Sequence, residues 1–187
     1  MFRKPLDRRI EEFWQWFSSA GIVVGSDKSA KELTKQLSKV DKHLVWGTEL
    51  DPNGGPNTLE ISPEGQKEFA DLARKLVAAA PKVANWRFVA FRQPSEGFSI
   101  ELPGGRVSPE DCKVALFSLQ GDVQGLRLYM PDHLGEEVMG QLAFLILDHT
   151  LGEEVVMRYE VFPPLPVSEA DEFAESLLEA KEHLINR

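Results

Sequence analysis

Residues 59–91 read LEISPEGQKEFADLARKLVAAAPKVANWRFVAF, and this stretch decides the predicted fold. Ser62 is a good helix cap, and Pro63 suits the first helical position because no amide hydrogen is needed there. Apolar residues then recur at helical spacing as far as Pro81, which ends the helix. Residues 86–91 alternate in the way typical of a strand rich in aromatic and branched side chains. The stretch therefore predicts a strand, an amphipathic helix and a second strand.

The same order of elements occurs twice in the chain. Residues 44–91 predict a hairpin followed by the helix and strand just described, and residues 114–162 predict a second hairpin, helix and strand. The two copies end alike, in WRFVAF and MRYEVF. This order favours an α+β fold in which antiparallel β-sheets are covered by about five helices, with the hairpin-helix-strand unit as an internal repeat. Because no long linker separates the copies, we predict a single α+β domain over residues 1–187.

Helices are also predicted outside the two copies. The N-terminal helix has one apolar face, formed by Leu6, Ile10, Phe13, Trp14 and Phe17. Ser29 and Glu32 form a capping box that begins a second helix. Ser168 is suited to cap a C-terminal acidic helix, residues 168–186, which is predicted to bury Phe173, while residues 163–166, PPLP, precede it as a linker. These helices complete the predicted α+β domain.

Charge and composition exclude several classes of function. The net charge is −9, and residues 132–187 contain 13 acidic and 3 basic residues. The negative electrostatic field of these acidic residues repels phosphate groups, so we predict no binding to nucleic acid. No apolar run reaches about 18 residues, and the N-terminus interleaves charged with apolar positions, so we predict neither a membrane span nor a secretory signal. One cysteine fits a reducing compartment, which indicates a cytoplasmic protein.

The chemical motifs of the sequence do not assemble into a recognisable catalytic site. DHLGEEV at residues 132–138 is echoed by DHTLGEEV at residues 148–155, which invites a metal site. If one helix joins the two phrases, however, His133 and His149 lie about 24 Å apart, because an α-helix rises about 1.5 Å per residue. We therefore expect no metal and no cofactor. Cys112 has no nearby histidine to activate it and is interpreted as a structural thiol.

Three pieces of the sequence resemble a known family. They are FWQWF at residues 13–17, the run from ISPEG to AAAPKVANWRFVAFR within residues 61–92, and LILDHTLGEE at residues 145–154. Together they resemble a family of uncharacterised bacterial cytoplasmic proteins, a domain of unknown function, over most of the chain. The resemblance implies a bacterial origin and carries no activity, cofactor or catalytic residue.

These observations favour a binding or regulatory module that acts through protein–protein contacts, with a protein partner or a second copy of the chain. The alternative is a small hydrolase-type enzyme that uses carboxylates or a metal. Strand alternation places polar and charged side chains on the sheet face away from the helices. Arginines that lie among aromatic residues on this face would bind a carboxylate or phosphate group. The predicted ligand-binding residues are Glu49, Glu60, Arg87, Arg127, Tyr129 and Arg158.

Overall fold

Each half of the chain builds its own β-sheet. The protein is described here from a computed structural model that covers residues 4–51, 53–103 and 105–186. The chain divides into two units, Met1–Arg92 and Gln93–Arg187. Six α-helices accompany the strands of the described residues, so the predicted α+β class is confirmed. Whether the two units unfold as a single domain over residues 1–187 stays a prediction.

The first unit places three helices around a three-stranded sheet. The helices are α1 (Leu6–Ser19), α2 (Asp27–Val40) and α3 (Ala70–Ala78), and the strands are β1 (Val45–Glu49), β2 (Asn57–Ser62) and β3 (Trp86–Ala90). Strand β2 is central; it pairs antiparallel with β1 and parallel with β3. The predicted apolar face of α1 is confirmed, because Ile10, Phe13, Trp14 and Phe17 are all buried. This aromatic face packs against the sheet through Phe88 of β3.

The helix after β2 begins later than predicted. Ser62 remains in β2, where it is paired with Val45, and its hydroxyl accepts a hydrogen bond from the Glu64 amide at 2.9 Å. Glu64 and Gly65 both have positive φ, at 51° and 73°, so the chain turns sharply there instead of entering a helix. A short 3₁₀ turn, Lys67–Phe69, precedes α3. The prediction that Ser62 caps this helix is therefore wrong, because strand pairing holds that residue in extended conformation.

The second unit contains two sheets and three helices. A small ribbon is formed by β4 (Ile100–Leu102) and β5 (Gly105–Val107). The larger sheet has the strand order β8-β7-β6-β9, with β6 (Lys113–Ser118), β7 (Gln124–Met130), β8 (Glu160–Pro166) and β9 (Glu175–Ser176). The helices are α4 (Glu136–Leu151), α5 (Glu153–Val156) and α6 (Leu177–Ile185). Alternate residues of β7, among them Leu126, Leu128 and Met130, join the helices in one apolar core.

The C-terminal helix is shorter than predicted. Instead of starting at Ser168, α6 starts at Leu177, because Glu175 and Ser176 are extended and pair with β6. The amide of Ser168 donates to a carboxylate oxygen of Asp132 at 2.9 Å, and Ser168 lies within a 3₁₀ turn, Val167–Glu169, rather than capping a helix. Phe173, predicted to be buried, is 74% exposed. An acidic helix over residues 168–186 is thus replaced by a turn, a short strand and a helix of nine residues.

The sequence predicts a strand over residues 155–162 and a linker over residues 163–166, and the structure differs from both predictions. Val155 belongs to the short helix α5, which follows Gly152 with φ of 91°, and the strand begins only at Glu160. The proline-rich residues 163–166 are not a linker but the second half of β8. Strand β8 lies at the sheet edge, where a proline costs no ladder hydrogen bond on its solvent side. These prolines also keep the edge from pairing with another strand.

Both units connect a hairpin, a helix and a third strand in that order. The hairpins are antiparallel, as predicted, but the third strand of each unit pairs parallel to the second hairpin strand. A helical crossover returns the chain in the same direction, which is why these pairs are parallel and the sheets are mixed. The internal repeat of residues 44–91 and 114–162 stays a prediction. Among the described residues, the structure contains no helix that is long and apolar enough to cross a membrane.

Candidate functional site

The six predicted ligand-binding residues lie in two different sheets and one turn. Glu49, Glu60 and Arg87 belong to the sheet of the first unit. Arg127 and Tyr129 lie on β7 of the second unit. Arg158 is outside both sheets. Five of the predicted residues therefore form two separate groups, and Arg158 belongs to neither.

In the first unit, strand register aligns an acid, a hydroxyl and an arginine. Glu49 of β1 is paired with Thr58 of β2, and Thr58 is paired with Arg87 of β3. The Nε and Nη2 atoms of Arg87 both donate to the Thr58 hydroxyl, at 3.3 and 3.0 Å. A cavity of about 370 Å³ adjoins this row and is lined by Glu49, Leu50, Asp51, Pro56, Thr58 and Arg87. Alternation along the strands predicts that Glu49 and Arg87 share one face of the sheet. The structure shows that Thr58 lies between them.

Glu60 lies two residues beyond Thr58 on β2 and therefore on the same face. Its partner on β1 is Gly47, and a Cβ atom at Gly47 would lie 3.0 Å from the Oε2 atom of Glu60. The missing side chain at Gly47 therefore leaves room for this carboxylate to lie across β1. Glu60 is half-buried and is not among the residues that line the 370 Å³ cavity.

Arg158 has a structural contact instead of a place on the sheet face. It lies in the turn between α5 and β8, and its Nη1 atom donates to the carbonyl oxygen of Ile185 at 3.0 Å. Ile185 is the last residue of α6, so this arginine satisfies a carbonyl that has no partner within the helix. The prediction that Arg158 lies on the sheet with Arg87 and Arg127 is wrong, because the residues before Glu160 are not extended.

In the second unit, Arg127 packs against a pair of phenylalanines on the sheet face away from the apolar core. The centre of its guanidinium is 5.7 Å from the ring of Phe117 on β6 and 5.6 Å from the ring of Phe162 on β8. The two rings also meet each other edge to face, with centroids 5.1 Å apart. Guanidinium groups are attracted to the faces of aromatic rings at such distances. We call these three residues the Arg127 slot.

The two rings can meet because the central strand has a glycine between them. A Cβ atom at Gly125 would lie 2.5 Å from the Cε2 atom of Phe117 and 3.1 Å from the Cε2 atom of Phe162. No side chain fits in that space. No sequence pattern reveals this role of Gly125, because it depends on the pairing of β6 and β8 with β7.

The guanidinium of Arg127 is incompletely satisfied. Its Nε atom is buried and has no hydrogen-bond partner within residues 4–51, 53–103 and 105–186. The side chain as a whole is half-buried. Tyr129 lies two residues further along β7, beyond a register shift, and is only 3% exposed. Tyr129 therefore offers little surface to a ligand.

The comparisons with known proteins identify no relative. No family model, no curated protein and no solved structure matches this chain. The resemblance to a family of uncharacterised bacterial proteins stays a prediction.

The histidines considered for a metal site have separate environments. His133 is exposed and precedes α4, so it does not share a helical face with Glu137. The ring of His149 stacks on Phe98 at 4.0 Å, and its Nδ1 atom is 3.2 Å from the hydroxyl oxygen of Ser95. The Ser95 amide also donates to the His149 carbonyl at 2.8 Å. Ser95 therefore binds the last turn of α4. No local motif indicates this contact, because Ser95 and His149 are 54 residues apart in sequence. Among the described residues, no group of three or more His, Cys, Asp or Glu side chains is placed to hold a metal ion.

Cys112 is buried, and its thiol is expected to be unreactive. Burial, with a smaller effect from the charge of Asp111, raises the pKa of the thiol to about 12. We therefore predict that a thiol reagent at pH 8 modifies the native protein slowly and the urea-unfolded protein quickly, because only the thiolate attacks. The raised pKa also makes the stability of the fold depend on pH. The neutral thiol contributes its full stabilisation below the pKa of the unfolded chain, about 9, and this contribution is lost as the pH rises from about 9 towards 12. Equal labelling rates with and without urea would contradict a buried Cys112.

Proposed function

We propose that this chain is a binding module whose second unit takes a carboxylate group of a protein partner at the Arg127 slot. One observation carries the proposal: the buried Nε atom of Arg127 has no hydrogen-bond partner among the described residues. A buried donor left without a partner costs about 1–3 kcal/mol, so native proteins rarely keep one without a reason. A carboxylate that pairs with the guanidinium would offset that cost.

The chemistry of the guanidinium favours a carboxylate as the acceptor. Arginine presents its nitrogens in a planar fork that matches the two oxygens of a carboxylate, and such charged, paired hydrogen bonds are about twice as strong as neutral ones. The rings of Phe117 and Phe162 both pack against the guanidinium. This support limits the conformational freedom that the side chain would lose on binding.

The surroundings favour a protein as the partner. Arginine and aromatic residues are enriched among the residues that contribute most to protein–protein binding. The edges of this sheet are poorly suited to pairing, because β8 contains Pro163, Pro164 and Pro166 and β9 has only two residues. A partner, whether another protein or a second copy of this chain, would therefore bind the face of the sheet and not extend it.

The proposal is tested by following Arg127 itself. In ¹⁵N-labelled protein, the Nε–Hε signal of Arg127 is assigned from its absence in Arg127→Met and monitored during titration with a capped tetraglutamate peptide. We expect this signal to shift and the affinity to fall roughly tenfold or more in Arg127→Met, which keeps the apolar packing but loses the donors. Arg127→Lys should lose most of the affinity as well, because an ammonium lacks the fork.

Arg106→Met is the matched control for this titration. Arg106 is an exposed arginine on β5, 3.8 Å from a carboxylate oxygen of Glu110. Its removal changes the net charge by the same amount without touching the Arg127 slot, so the affinity should stay close to that of the unmodified protein. Equal weakening by the two substitutions would reduce the interaction to general charge attraction and refute the proposal, as would an Arg127 signal that does not move.

A bacterial origin and a cytoplasmic location are proposed on separate grounds. The origin rests on the resemblance of the three sequence pieces, and the location rests on the single Cys112, which is a free thiol.

A further inference from the structure

The cavity beside Arg87 in the first unit has charges of both signs in its wall. Arg87 contributes a guanidinium from β3, Glu49 a carboxylate from the end of β1, and Asp51 a second carboxylate from the turn that follows. Adjacent strands are about 4.8 Å apart, so Glu49 and Arg87 face the cavity from opposite sides of Thr58. The cavity is independent of the Arg127 slot, which belongs to the other unit.

The polar groups of this cavity are held in place before any ligand binds. Thr58 is 4% exposed, and its hydroxyl accepts both contacts from one edge of the Arg87 guanidinium, which leaves Nη1 directed away from Thr58. One oxygen of Asp51 accepts a hydrogen bond from the Asn53 amide at 2.8 Å, and the other lies against Gly55. The arginine and the acid are therefore positioned independently of each other, Arg87 by the sheet and Asp51 by its own turn.

We propose that this cavity binds an α-amino acid, whose carboxylate contacts Arg87 and whose ammonium contacts Glu49 and Asp51. A ligand with only negative charge would face the two carboxylates, and a ligand with only positive charge would face the guanidinium. A molecule that bears both groups satisfies all three side chains. Two apolar residues, Leu50 and Pro56, complete the wall, and Leu50 is 59% exposed. An amino acid with an apolar side chain covers this surface, so leucine should bind more tightly than glycine.

The proposal is tested with leucine and two analogues that each keep one charge. Isothermal titration at millimolar ligand compares L-leucine with 4-methylpentanoate, which lacks the ammonium group, and 3-methylbutylamine, which lacks the carboxylate. We expect leucine to bind and to raise the melting temperature, and both analogues to bind at least roughly tenfold more weakly, as the loss of a charged hydrogen bond implies. Analogues that bind as well as leucine, or no binding by leucine, would overturn the proposal.

Substitutions then identify the residues that contact the ligand. Arg87→Gln should weaken the binding of leucine without changing the residual binding of 3-methylbutylamine. Glu49→Gln should also weaken the binding of leucine, but without changing the residual binding of 4-methylpentanoate. Thr58→Val removes the acceptor that positions Arg87. It should therefore lower the affinity for leucine by less than Arg87→Gln does, and it should leave the binding of 3-methylbutylamine unchanged. Glu101→Gln, at an exposed position on β4, removes one carboxylate from the other unit and should have no effect. Loss of affinity with Glu101→Gln equal to that with Glu49→Gln would refute the assignment.

Discussion

Replacing Trp14 with alanine is expected to lower the free energy of unfolding by about 3–5 kcal/mol, the range for removing a large aromatic side chain from a core. Trp14 is 3% exposed, and its ring meets those of Phe13, Phe17 and Phe88 at centroid distances of 4.9, 5.8 and 4.6 Å. Its indole nitrogen also donates to the carbonyl oxygen of Leu76 at 2.8 Å. The substitution therefore removes one contact of α1 with α3 and one with β3. Urea unfolding followed by far-ultraviolet circular dichroism measures the change.

Trp16 provides the control within the same helix. It is half-buried and lies off the apolar face, although its ring is 5.9 Å from that of Phe13. Trp16→Ala removes a side chain of the same size with the same change in helix propensity, so it should cost clearly less than Trp14→Ala. Equal losses from the two substitutions would mean that α1 is not packed as described.

Replacing Gly125 with alanine is expected to lower the free energy of unfolding by about 1–3 kcal/mol, as for other cases of overpacking. The added methyl group would occupy the space in which Phe117 and Phe162 meet, so one ring has to move. Because the same rings flank Arg127, this substitution should also weaken the binding of the tetraglutamate peptide. Thermal or urea unfolding gives the stability, and the ¹⁵N titration gives the affinity.

Gly140→Ala is the control with the opposite expected sign. Gly140 lies in the middle of α4, and a Cβ atom there would have no neighbour within 4 Å. Alanine is favoured over glycine inside a helix, so this variant should gain about 0.5–1 kcal/mol. A neutral or stabilising effect of Gly125→Ala would contradict the close approach of the two rings.

The accuracy of the sequence-based predictions depends on how local the underlying interactions are. The apolar spacing of Phe13, Trp14 and Phe17 is a property of one helix, and the structure confirms it. Ser62 and Ser168 both satisfy the local pattern of a helix cap, yet the helices begin later, because strand pairing at Ser62 and at Ser176 competes with helix formation. Such pairing depends on residues distant in sequence, which no local pattern reveals.

The candidate sites show the same limit. The period of two correctly places Glu49, Glu60 and Arg87 on one face of a sheet, because alternation along a strand is local. It does not give the register that sets Thr58 between Glu49 and Arg87, nor the neighbours of Arg127 on the adjacent strands. Alternation also predicts that Arg158 lies on a strand, but the strand begins only at Glu160, since the helical turn after Gly152 has no strong sequence signal. Site residues are thus predictable as members of a face and not as contacts.

The division of the chain into two units also separates its natural spectroscopic probes. All four tryptophans lie within Met1–Arg92, whereas both tyrosines, Tyr129 and Tyr159, and the single thiol of Cys112 lie within Gln93–Arg187. Tryptophan emission therefore reports the unfolding of one unit, and the rate at which Cys112 is alkylated reports the opening of the other, in the unlabelled protein. Coincident denaturant midpoints for the two signals would mean that the halves unfold as one cooperative domain. Separate midpoints would mean that a ligand of the first unit can stabilise that unit without changing the rate at which Cys112 of the second unit becomes exposed to alkylation.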